Sequence, residues 1–513
     1  MSNHEVTEPF KQAGTLKVSK SPNYGAALRS FLTTKVRLET LIDFGELRVF
    51  GDAATDPIIT ISSKHTSANS VEYVQVKSLD FANLDDFVKS SVVKLPESAF
   101  SGSNWSLVAD TQQLVLDKIK INSIPLGEYA NGKIRRGILT GFNEAFIIDQ
   151  AVHDRLVAED PKSVEVIKPF LVGDDVRRYS LDYRDRYLIW TYIGISINQY
   201  PTIYKHLQQY QAQLEKRWDK GDHWWELRHC DYYSDFEKPK IIYPDMSISS
   251  KFVLDRDGYY TVNTTYIIPT NDTYLLALMN SYLTWTYLKR TCTALGDVDE
   301  RGRLRMFSIF VESLPIRRIN FTLSSEQRTY YLEKAKNLYA YCLDKNDQAC
   351  VLGFVDHHLS QQPEQSDVVH DLLAFLAEEM IRLNKEKRAA QKQFLDQLVT
   401  TLRILLDKEG RKGIDVLTGK GKLADYPGDY QKGEPHLEFG ELHDILLKNK
   451  GRLGVSLNDA GLVERLRREY EGSLQKVLPL KERLAKTDAL IDVVVYQLYG
   501  LTEEEIKVVE GKG

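Results

Sequence analysis

The chain has 513 residues, of which 42% are hydrophobic and 27% are charged, and its formal net charge is −5. This composition is typical of a globular protein and argues against a disordered chain, and the length predicts two to four domains. No run approaches the ~20 apolar residues of a membrane span, and the N-terminal segment lacks the apolar core of a secretory signal. The four cysteines form no CxxC pair, so we expect no structural zinc, a reducing compartment and a cytoplasmic protein.

Residues 1–100 predict a helix and a few strands. The helix is SPNYGAALRSFL (21–32), and LIDFGELRVFGDAATDPIITI (41–61) has two apolar runs around a loop. EYVQVK (72–77) predicts a third strand. These strands are apolar on both faces and too few to be stable alone. We therefore expect a small, incomplete sheet with an exposed apolar face and a free edge.

From about residue 125 to 320, short apolar runs alternate with Gly, Asp, Asn and Pro, which predicts an α+β domain. Asp257-Gly258 predicts a hairpin turn between two of its strands. From 321 to 513 the apolar spacing is helical, and one helix through 368–406 is long enough for helix–helix packing. Thr487 is predicted to cap a further helix, and Thr502 with Glu505 has the spacing of a capping box.

Motifs for a self-sufficient catalytic centre are absent from the sequence. There is no GxGxxG, no GxxxxGK[ST] and no GxSxG. His357 and His358 are adjacent and point apart on a helix, which argues against a shared metal. His223, His229 and Cys230 lack a second spaced pair, so aromatic packing is the better interpretation of that stretch.

Several segments, in the same order along the chain, resemble adenine-specific DNA methyltransferases of the gamma, TaqI-type class. Residues 41–61 resemble the last strands of that family's catalytic domain. Five later segments resemble successive elements of that family's target-recognition domain. They are GILTGFNEAFIID (137–149), IKPFLVGDDVRRY (167–179), EKPKIIYPD (237–245), YLLALMNSYL (274–283) and RMFSIFVESLPI (305–316). TDALIDVVVYQLYGLTEEEIKVVEG (487–511) resembles the tail of fused type IIG restriction–methylation enzymes and their phage-defence relatives.

The resemblance implies three regions: a remnant of the α/β catalytic sheet (1–100), a TaqI-like recognition domain (125–320) and a helical C-terminal region (321–513). The family's Gly-rich turn for S-adenosylmethionine and its Asn-Pro-Pro-Tyr motif for the flipped adenine are both absent. The resemblance therefore implies no catalytic residue and no cofactor bound by this chain alone, with S-adenosylmethionine in the complete enzyme. A methyltransferase N-terminal half supplied in trans is the implied partner, together with double-stranded DNA. Phe50 takes the position of the family's base-stacking aromatic.

Arginines and lysines of the recognition region are the candidate DNA contacts. Arginine reads guanine through two parallel hydrogen bonds, and lysine suits phosphates. "RRYSLDYRDR" (177–186) combines basic residues with tyrosines, a pattern that suits a nucleic-acid surface but equally a solvated face over core aromatics. Asn143 lies in a turn where Gly141 allows a close approach. The DNA-binding candidates are Arg135, Arg136, Asn143, Arg177, Arg178, Lys238, Lys240, Arg301, Arg303 and Arg305.

Three functions remain open at the level of sequence. The first is the DNA-recognition portion of a site-specific adenine methyltransferase from a restriction–modification or phage-defence system, inactive alone. The second is a complete S-adenosylmethionine-dependent enzyme working with a separate catalytic chain. The third is a non-catalytic interaction scaffold built on the C-terminal helices.

Overall fold

The computed structural model describes residues 11–14, 22–45, 47, 49–50, 57–64, 70–76, 78–96, 100, 105, 110–296, 302–405 and 413–511. The chain divides into two compact units, one made of 1–319 with 496–513 and the other of 320–495. The first unit mixes helices with several small sheets and the second is helical, so the predicted α+β class is confirmed. Within the described residues, no helix is both long enough and apolar enough to span a membrane.

A five-stranded mixed sheet opens the first unit. Its strand order is β1-β3-β2-β4-β5, with β2 and β4 parallel and the other neighbours antiparallel. Both predicted strands of residues 41–61 are present, and Ile42 lies opposite Ile59. The elements are β1 (Lys11–Gly14), α1 (Pro22–Thr34), β2 (Arg37–Asp43), β3 (Ile58–Ser63), β4 (Ser70–Gln75), α2 (Leu84–Ser91) and β5 (Val93–Pro96).

Both faces of this sheet are covered from within the chain. On one face, Leu41 and Ile58 pack with Leu32 of α1. On the other, Ile42 packs in a cluster with Phe87 of α2. Ile42 is 5% exposed and Ile58 is 6% exposed. The predicted exposed apolar face is therefore wrong, because α1 and α2 supply the cover, and the sheet gives no argument for a partner half that pairs with it.

The rest of the first unit alternates short strands and helices. Its elements up to residue 214 are α3 (Asp110–Lys120), β6 (Ser123–Pro125), α4 (Leu126–Tyr129), β7 (Arg135–Arg136), α5 (Asn143–Phe146), β8 (Ile147–Asp149), α6 (Gln150–Glu159), β9 (Ile167–Leu171), β10 (Val176–Arg177), β11 (Ser180–Leu181), β12 (Arg186–Ile189), α7 (Pro201–Gln208) and α8 (Gln211–Leu214). Those that follow are β13 (Lys240–Pro244), β14 (Met246–Ser247), β15 (Val253–Asp255), β16 (Tyr260–Thr261), β17 (Thr265–Ile268), α9 (Thr273–Asn280), α10 (Tyr282–Thr291), β18 (Thr293–Leu295), β19 (Arg303–Arg305), α11 (Ser308–Val311) and β20 (Pro315–Arg317).

Two four-stranded sheets share one aromatic-rich core. Their strand orders are β16-β9-β12-β8 and β15-β13-β17-β7. Phe146, Phe170, Phe236 and Ile242 are fully buried between them. A three-stranded sheet, β14-β19-β18, follows directly from β13, and β20 pairs with β6.

The predicted hairpin at Asp257-Gly258 is wrong, although the turn itself forms. Gly258 has a φ of +77°, and the Asp255 carboxylate accepts the backbone N–H groups of Asp257 and Tyr259. The flanking strands do not pair with each other, because β15 pairs with β13 while β16 pairs with β9 in the other sheet. The turn therefore connects two sheets.

The second unit is built from helices, and α14 confirms the predicted long helix with 37 residues. Thr487 caps nothing, because it lies inside α17 and its hydroxyl donates to the Arg483 carbonyl. The capping box of Thr502 and Glu505 is confirmed. The helices are α12 (Ser325–Lys345), α13 (Ala349–Leu359), α14 (Ser366–Leu402), α15 (Lys420–Ala424), α16 (Phe439–Lys448), α17 (Ala460–Leu498) and α18 (Glu503–Val509), of which α18 belongs to the first unit.

Candidate nucleic-acid interface

Two predicted arginine pairs are brought together where β13 runs into β14. Arg136 of β7 lies opposite Tyr266 of β17, and Arg305 of β19 lies opposite Met246 of β14. The backbone carbonyl of Asp245, which joins β13 to β14, accepts the Met306 N–H at 2.7 Å. Burial raises the pKa of the Asp245 carboxyl, and the charge of Arg136 opposes this rise. Arg136 thus acts on the Asp245 carboxyl, and β19, which carries Arg305, is bonded to the backbone of the same residue through Met306.

The outward face of the three-stranded sheet carries two arginines among apolar side chains. Because directly opposed residues share a face, Met246, Arg305 and Thr293 point the same way, as do Arg303 and Leu295. The opposite face is buried through Ser247 and Leu304. We call the set Met246, Thr293, Leu295, Arg303 and Arg305 the arginine face. Within the described residues, neither Arg303 nor Arg305 has a carboxylate within ion-pair distance, so both guanidinium groups are available to a ligand.

Arg135 and Arg136 are oriented by Tyr232 and a loop carbonyl. The exposed Arg136 donates from Nε to the Asn263 carbonyl at 2.8 Å. The Tyr232 hydroxyl donates to the Arg136 carbonyl at 3.0 Å, and the Arg135 guanidinium lies 5.3 Å from the centre of the Tyr232 ring. Both arginines are therefore fixed at the rim of the sheet.

The turn before α5 presents Asn143 at the surface. Asn143 is exposed, and its Oδ1 accepts the Thr140 hydroxyl at 2.6 Å. Gly141 has a φ of +69°, and a Cβ there would lie 3.1 Å from Cδ of Arg217. The glycine is therefore required by the turn and by its packing on Arg217.

Arg217 is a buried residue that sequence reasoning missed. Its guanidinium is 7% exposed and donates to the carbonyls of Thr140 at 2.5 Å, Trp224 at 2.7 Å and Glu226 at 2.9 Å. It also lies 4.6 Å from the centre of the Phe146 ring. Burial lowers the pKa of Arg217 to about 10, and Asp219 opposes this change. No signal in the sequence separates this arginine from an ordinary surface cation.

Part of the first unit matches a known protein family. Residues 168–306 match the family model of the TaqI-like C-terminal specificity domain. The chain contains a TaqI-type target-recognition domain. Both arginines of the arginine face lie inside the match, whereas Arg135, Arg136 and Asn143 precede it. We refer to the α+β region from residue 125 to 320 as the recognition domain.

Two curated relatives are similar to the chain. The Type II methyltransferase M.BstVI of Geobacillus stearothermophilus is 22% identical over 319 residues, which are 55% of this chain and 55% of the relative. The Type II methyltransferase M.PaeR7I of Pseudomonas aeruginosa is 22% identical over 278 residues, which are 50% of this chain and 46% of the relative. The chain therefore spans about half the length of the curated relatives it matches.

Two solved structures also resemble the chain. The Type IIL restriction-modification enzyme MmeI, solved in complex with DNA, has a TM-score of 0.40 at 14% identity and covers 71% of this chain and 45% of its own. The type IIG restriction endonuclease BpuSI has a TM-score of 0.29 at 13% identity and covers 59% of this chain and 39% of its own.

Lys240 of the recognition domain is not a phosphate contact, which corrects the prediction. Its side chain is fully buried, and Nζ donates to Oδ2 of Asp255 and to the Phe236 carbonyl, both at 2.5 Å. Burial lowers the pKa of Lys240, and Asp255 opposes this change. Lys238 is exposed and pairs with Asp235 at 2.8 Å, so its phosphate role stays a prediction.

The basic cluster at residues 177–186 is largely neutralised by its own acidic residues. Arg186 donates twice to the buried Asp175 carboxylate, at 2.5 and 2.6 Å. Arg177 donates to the Asp174 carbonyl and pairs with Asp182 at 3.5 Å. The half-buried Arg178 lies 5.8 Å from the centre of the Tyr179 ring. The ion pairs weaken the electrostatic argument for this cluster as a DNA contact.

The two remaining candidates lie elsewhere. Phe50 is 55% exposed on the turn after β2, so its side chain is open to solvent. Its proposed role in stacking on a base stays a prediction. Arg301 lies outside the described residues.

Proposed function

We propose that this chain recognises the DNA target of a site-specific adenine methyltransferase belonging to a restriction–modification system. The observation that carries the proposal is the arginine face, where Arg303 and Arg305 have no carboxylate partner among the described residues, in a segment that matches the specificity-domain family. An unpaired guanidinium keeps all its donors for a base edge or a phosphate.

The arginine face has the chemistry that base reading requires. Arginine bonds O6 and N7 of guanine with two parallel hydrogen bonds, and apolar side chains contact the thymine methyl group. Met246 and Leu295 are 42% and 37% exposed beside the two arginines. We propose that the exposed Arg136, on an edge strand of a neighbouring sheet, contacts the phosphate backbone, which fixes position without reading sequence. In this proposal the arginine face reads bases and Arg136 positions the protein on the DNA.

Methyl transfer needs a cofactor site and a site for the adenine amino group, and the sequence lacks both motifs. We looked for a close backbone cradle for S-adenosylmethionine at the glycine that follows the second strand of the N-terminal sheet. Gly45, which follows β2, has open space where a Cβ would lie, so it forms no close cradle. We therefore propose that this chain recognises DNA without transferring a methyl group, and that S-adenosylmethionine belongs to the complete enzyme. The curated relatives are Type II methyltransferases by name.

The direct test is a selection of bound duplexes from a randomised DNA library by the full chain, followed by sequencing. We expect enrichment of one short motif, because base-edge contacts favour particular bases by about 1–3 kcal/mol each. A library that stays random after selection would exclude sequence recognition and favour the interaction scaffold.

A methyl-transfer assay with labelled S-adenosylmethionine, run on the enriched duplex, separates recognition from catalysis. We expect no labelled adenine from this chain alone. Labelled adenine would show that the chain is a complete enzyme and overturn that part of the proposal. Label that appears only after a second chain is added would support a catalytic half in trans.

A further inference from the structure

The recognition domain exposes one tryptophan almost completely. Trp218 is 98% exposed, the highest value among the large hydrophobic side chains of the described residues. Trp105 and Trp285 are buried, and Trp190, Trp224 and Trp225 are half-buried in aromatic clusters. An indole ring held in water loses the free energy that burial would give it. A ring in this position calls for an explanation.

The backbone beside Trp218 is held by several bonds. We call residues 216–228 the Trp218 loop. Its neighbour Arg217 is anchored to three carbonyls, as described above, and Lys220 forms a β-bridge with Leu227. The buried Glu226 carboxylate accepts the N–H groups of Gly194 at 3.0 Å and His223 at 2.9 Å. The backbone that carries the indole is therefore held in place before binding, which lowers the entropy cost of binding.

The surroundings of Trp218 favour a polyanion. Lys216, Lys220 and Arg228 are exposed in the same loop. Asp219 is paired with Arg228 at 3.4 Å and Asp222 is exposed, so the electrostatic argument for an anion rests on Lys216 and Lys220. A Cβ on Gly141 would lie 3.3 Å from Cβ of Asp219, so the loop packs against the turn that presents Asn143. An exposed aromatic ring among cations, beside a surface amide, is the combination that contacts bases and phosphates together.

We propose that Trp218 stacks on a base of the bound duplex, entering at a base step while the adjoining Asn143 turn faces the neighbouring nucleotides. This inference rests on the proposed function, since it requires that the domain bind DNA. Every base offers a π-face, and apolar side chains can insert between base steps and partly unstack them. Trp218 therefore contributes affinity with little dependence on sequence, whereas the arginine face supplies the sequence preference.

Tryptophan fluorescence of the full-length chain tests the contact. The difference between the wild type and Trp218→Phe isolates the emission of Trp218, which acrylamide quenches readily in the free protein because the ring is exposed. Adding the enriched duplex should protect this emission from acrylamide. A quenching constant for Trp218 that is unchanged by saturating duplex would overturn the inference.

Measurements of duplex affinity test the contact between Trp218 and DNA independently of fluorescence. Trp218→Ala should weaken duplex binding roughly tenfold, and Trp218→Phe should stay close to the wild type, because phenylalanine also stacks. The control is Ile121→Ala, which truncates another exposed apolar residue, 64% exposed, in the same unit. The slope of log affinity against log salt should be the same in all variants, because none removes a phosphate contact. Equal affinity of Trp218→Ala and the wild type would refute the contact.

Failure of the inference is distinguishable from failure of the proposed function. If the wild type binds no duplex, the proposed function is wrong. If the wild type binds and Trp218 stays open to acrylamide, only the stacking contact is wrong. If Trp218 becomes protected without DNA as protein concentration rises, the ring serves contact between copies of the chain, and the inference is also wrong.

Discussion

Two pairs of basic residues in the recognition domain differ in their surroundings, one pair in its interior and one on its outer sheet face. Arg217 and Lys240 are inside, where backbone carbonyls and one carboxylate take up their donors. Arg303 and Arg305 are on the arginine face, where no carboxylate of the described residues pairs with them. The comparison teaches that the acceptors placed around a cation by the tertiary structure decide whether its donors are used within the fold or stay exposed at the surface.

The largest effect is expected from Arg217→Met, which keeps the aliphatic stem and removes the guanidinium. Three buried carbonyls lose their donor, and each unsatisfied acceptor costs about 1–3 kcal/mol, so we expect the free energy of unfolding to fall by about 4 kcal/mol. Urea denaturation measures it. The control is Arg228→Met, whose exposed ion pair is worth less than about 1 kcal/mol. Equal stabilities of the two variants would contradict the interior role.

Lys240→Met is expected to cost about 3 kcal/mol, because it leaves the buried Asp255 carboxylate without its counter-charge. Lys238→Met, two residues away and exposed, is the matched control and should cost less than about 0.5 kcal/mol. The same denaturation experiment measures both. If Lys240→Met is neutral in stability but weakens duplex binding, the assignment of Lys240 to the interior is wrong.

The double variant Arg303→Ala, Arg305→Ala should weaken DNA binding and leave stability almost unchanged, the opposite of what we expect for Lys240→Met. We expect duplex affinity to fall at least about tenfold, since each lost bidentate base contact is worth about 1–3 kcal/mol. Stability should change by less than about 0.5 kcal/mol, because both side chains lack a partner within the described residues. Arg318→Ala, which removes an exposed arginine of the same unit, is the control for binding in a titration. Loss of stability without loss of affinity would place these arginines with the interior group.

The smallest effect concerns pH and the buried His206. Its Nε2 lies 3.1 Å from the Ala145 carbonyl, Nδ1 has no hydrogen-bond partner among the described residues, and burial lowers its pKa below the ordinary value of 6.5. The unfolded chain therefore takes up the proton at a higher pH, and stability is lost as pH falls below that value. Above pH 6.5, the difference in free energy of unfolding between the wild type and His206→Gln should be constant. Below pH 6.5, the wild type should lose stability relative to the variant. A difference independent of pH would contradict this.

Local pattern was enough to predict several elements of the fold. The strands of 41–61, the long helix α14 and the capping box at Thr502 each follow from spacing between neighbouring residues. The sequence also marked Arg136, Arg303 and Arg305 as candidates. It could not show which residues lie opposite them, Tyr266 for Arg136 and Met246 for Arg305, because that depends on strand pairing between distant segments.

The wrong predictions also concern features that depend on contacts between distant segments. The N-terminal sheet was expected to expose an apolar face, since nothing local shows that α1 and α2 fold over its two sides. Lys240 was expected to contact phosphate, since its carboxylate partner Asp255 lies in another strand. Burial and partner choice are properties of tertiary packing, so a residue type and its neighbours do not reveal them.

The most direct measurement is the selection of duplexes from a randomised library, run in parallel with the wild type and the Arg303→Ala, Arg305→Ala double variant. The account predicts that both proteins enrich related sequences, and that the variant loses preference at one or two base pairs, guanine in particular, while the rest of the motif persists. Identical motifs and identical affinities for the two proteins would contradict the claim that the arginine face reads the target.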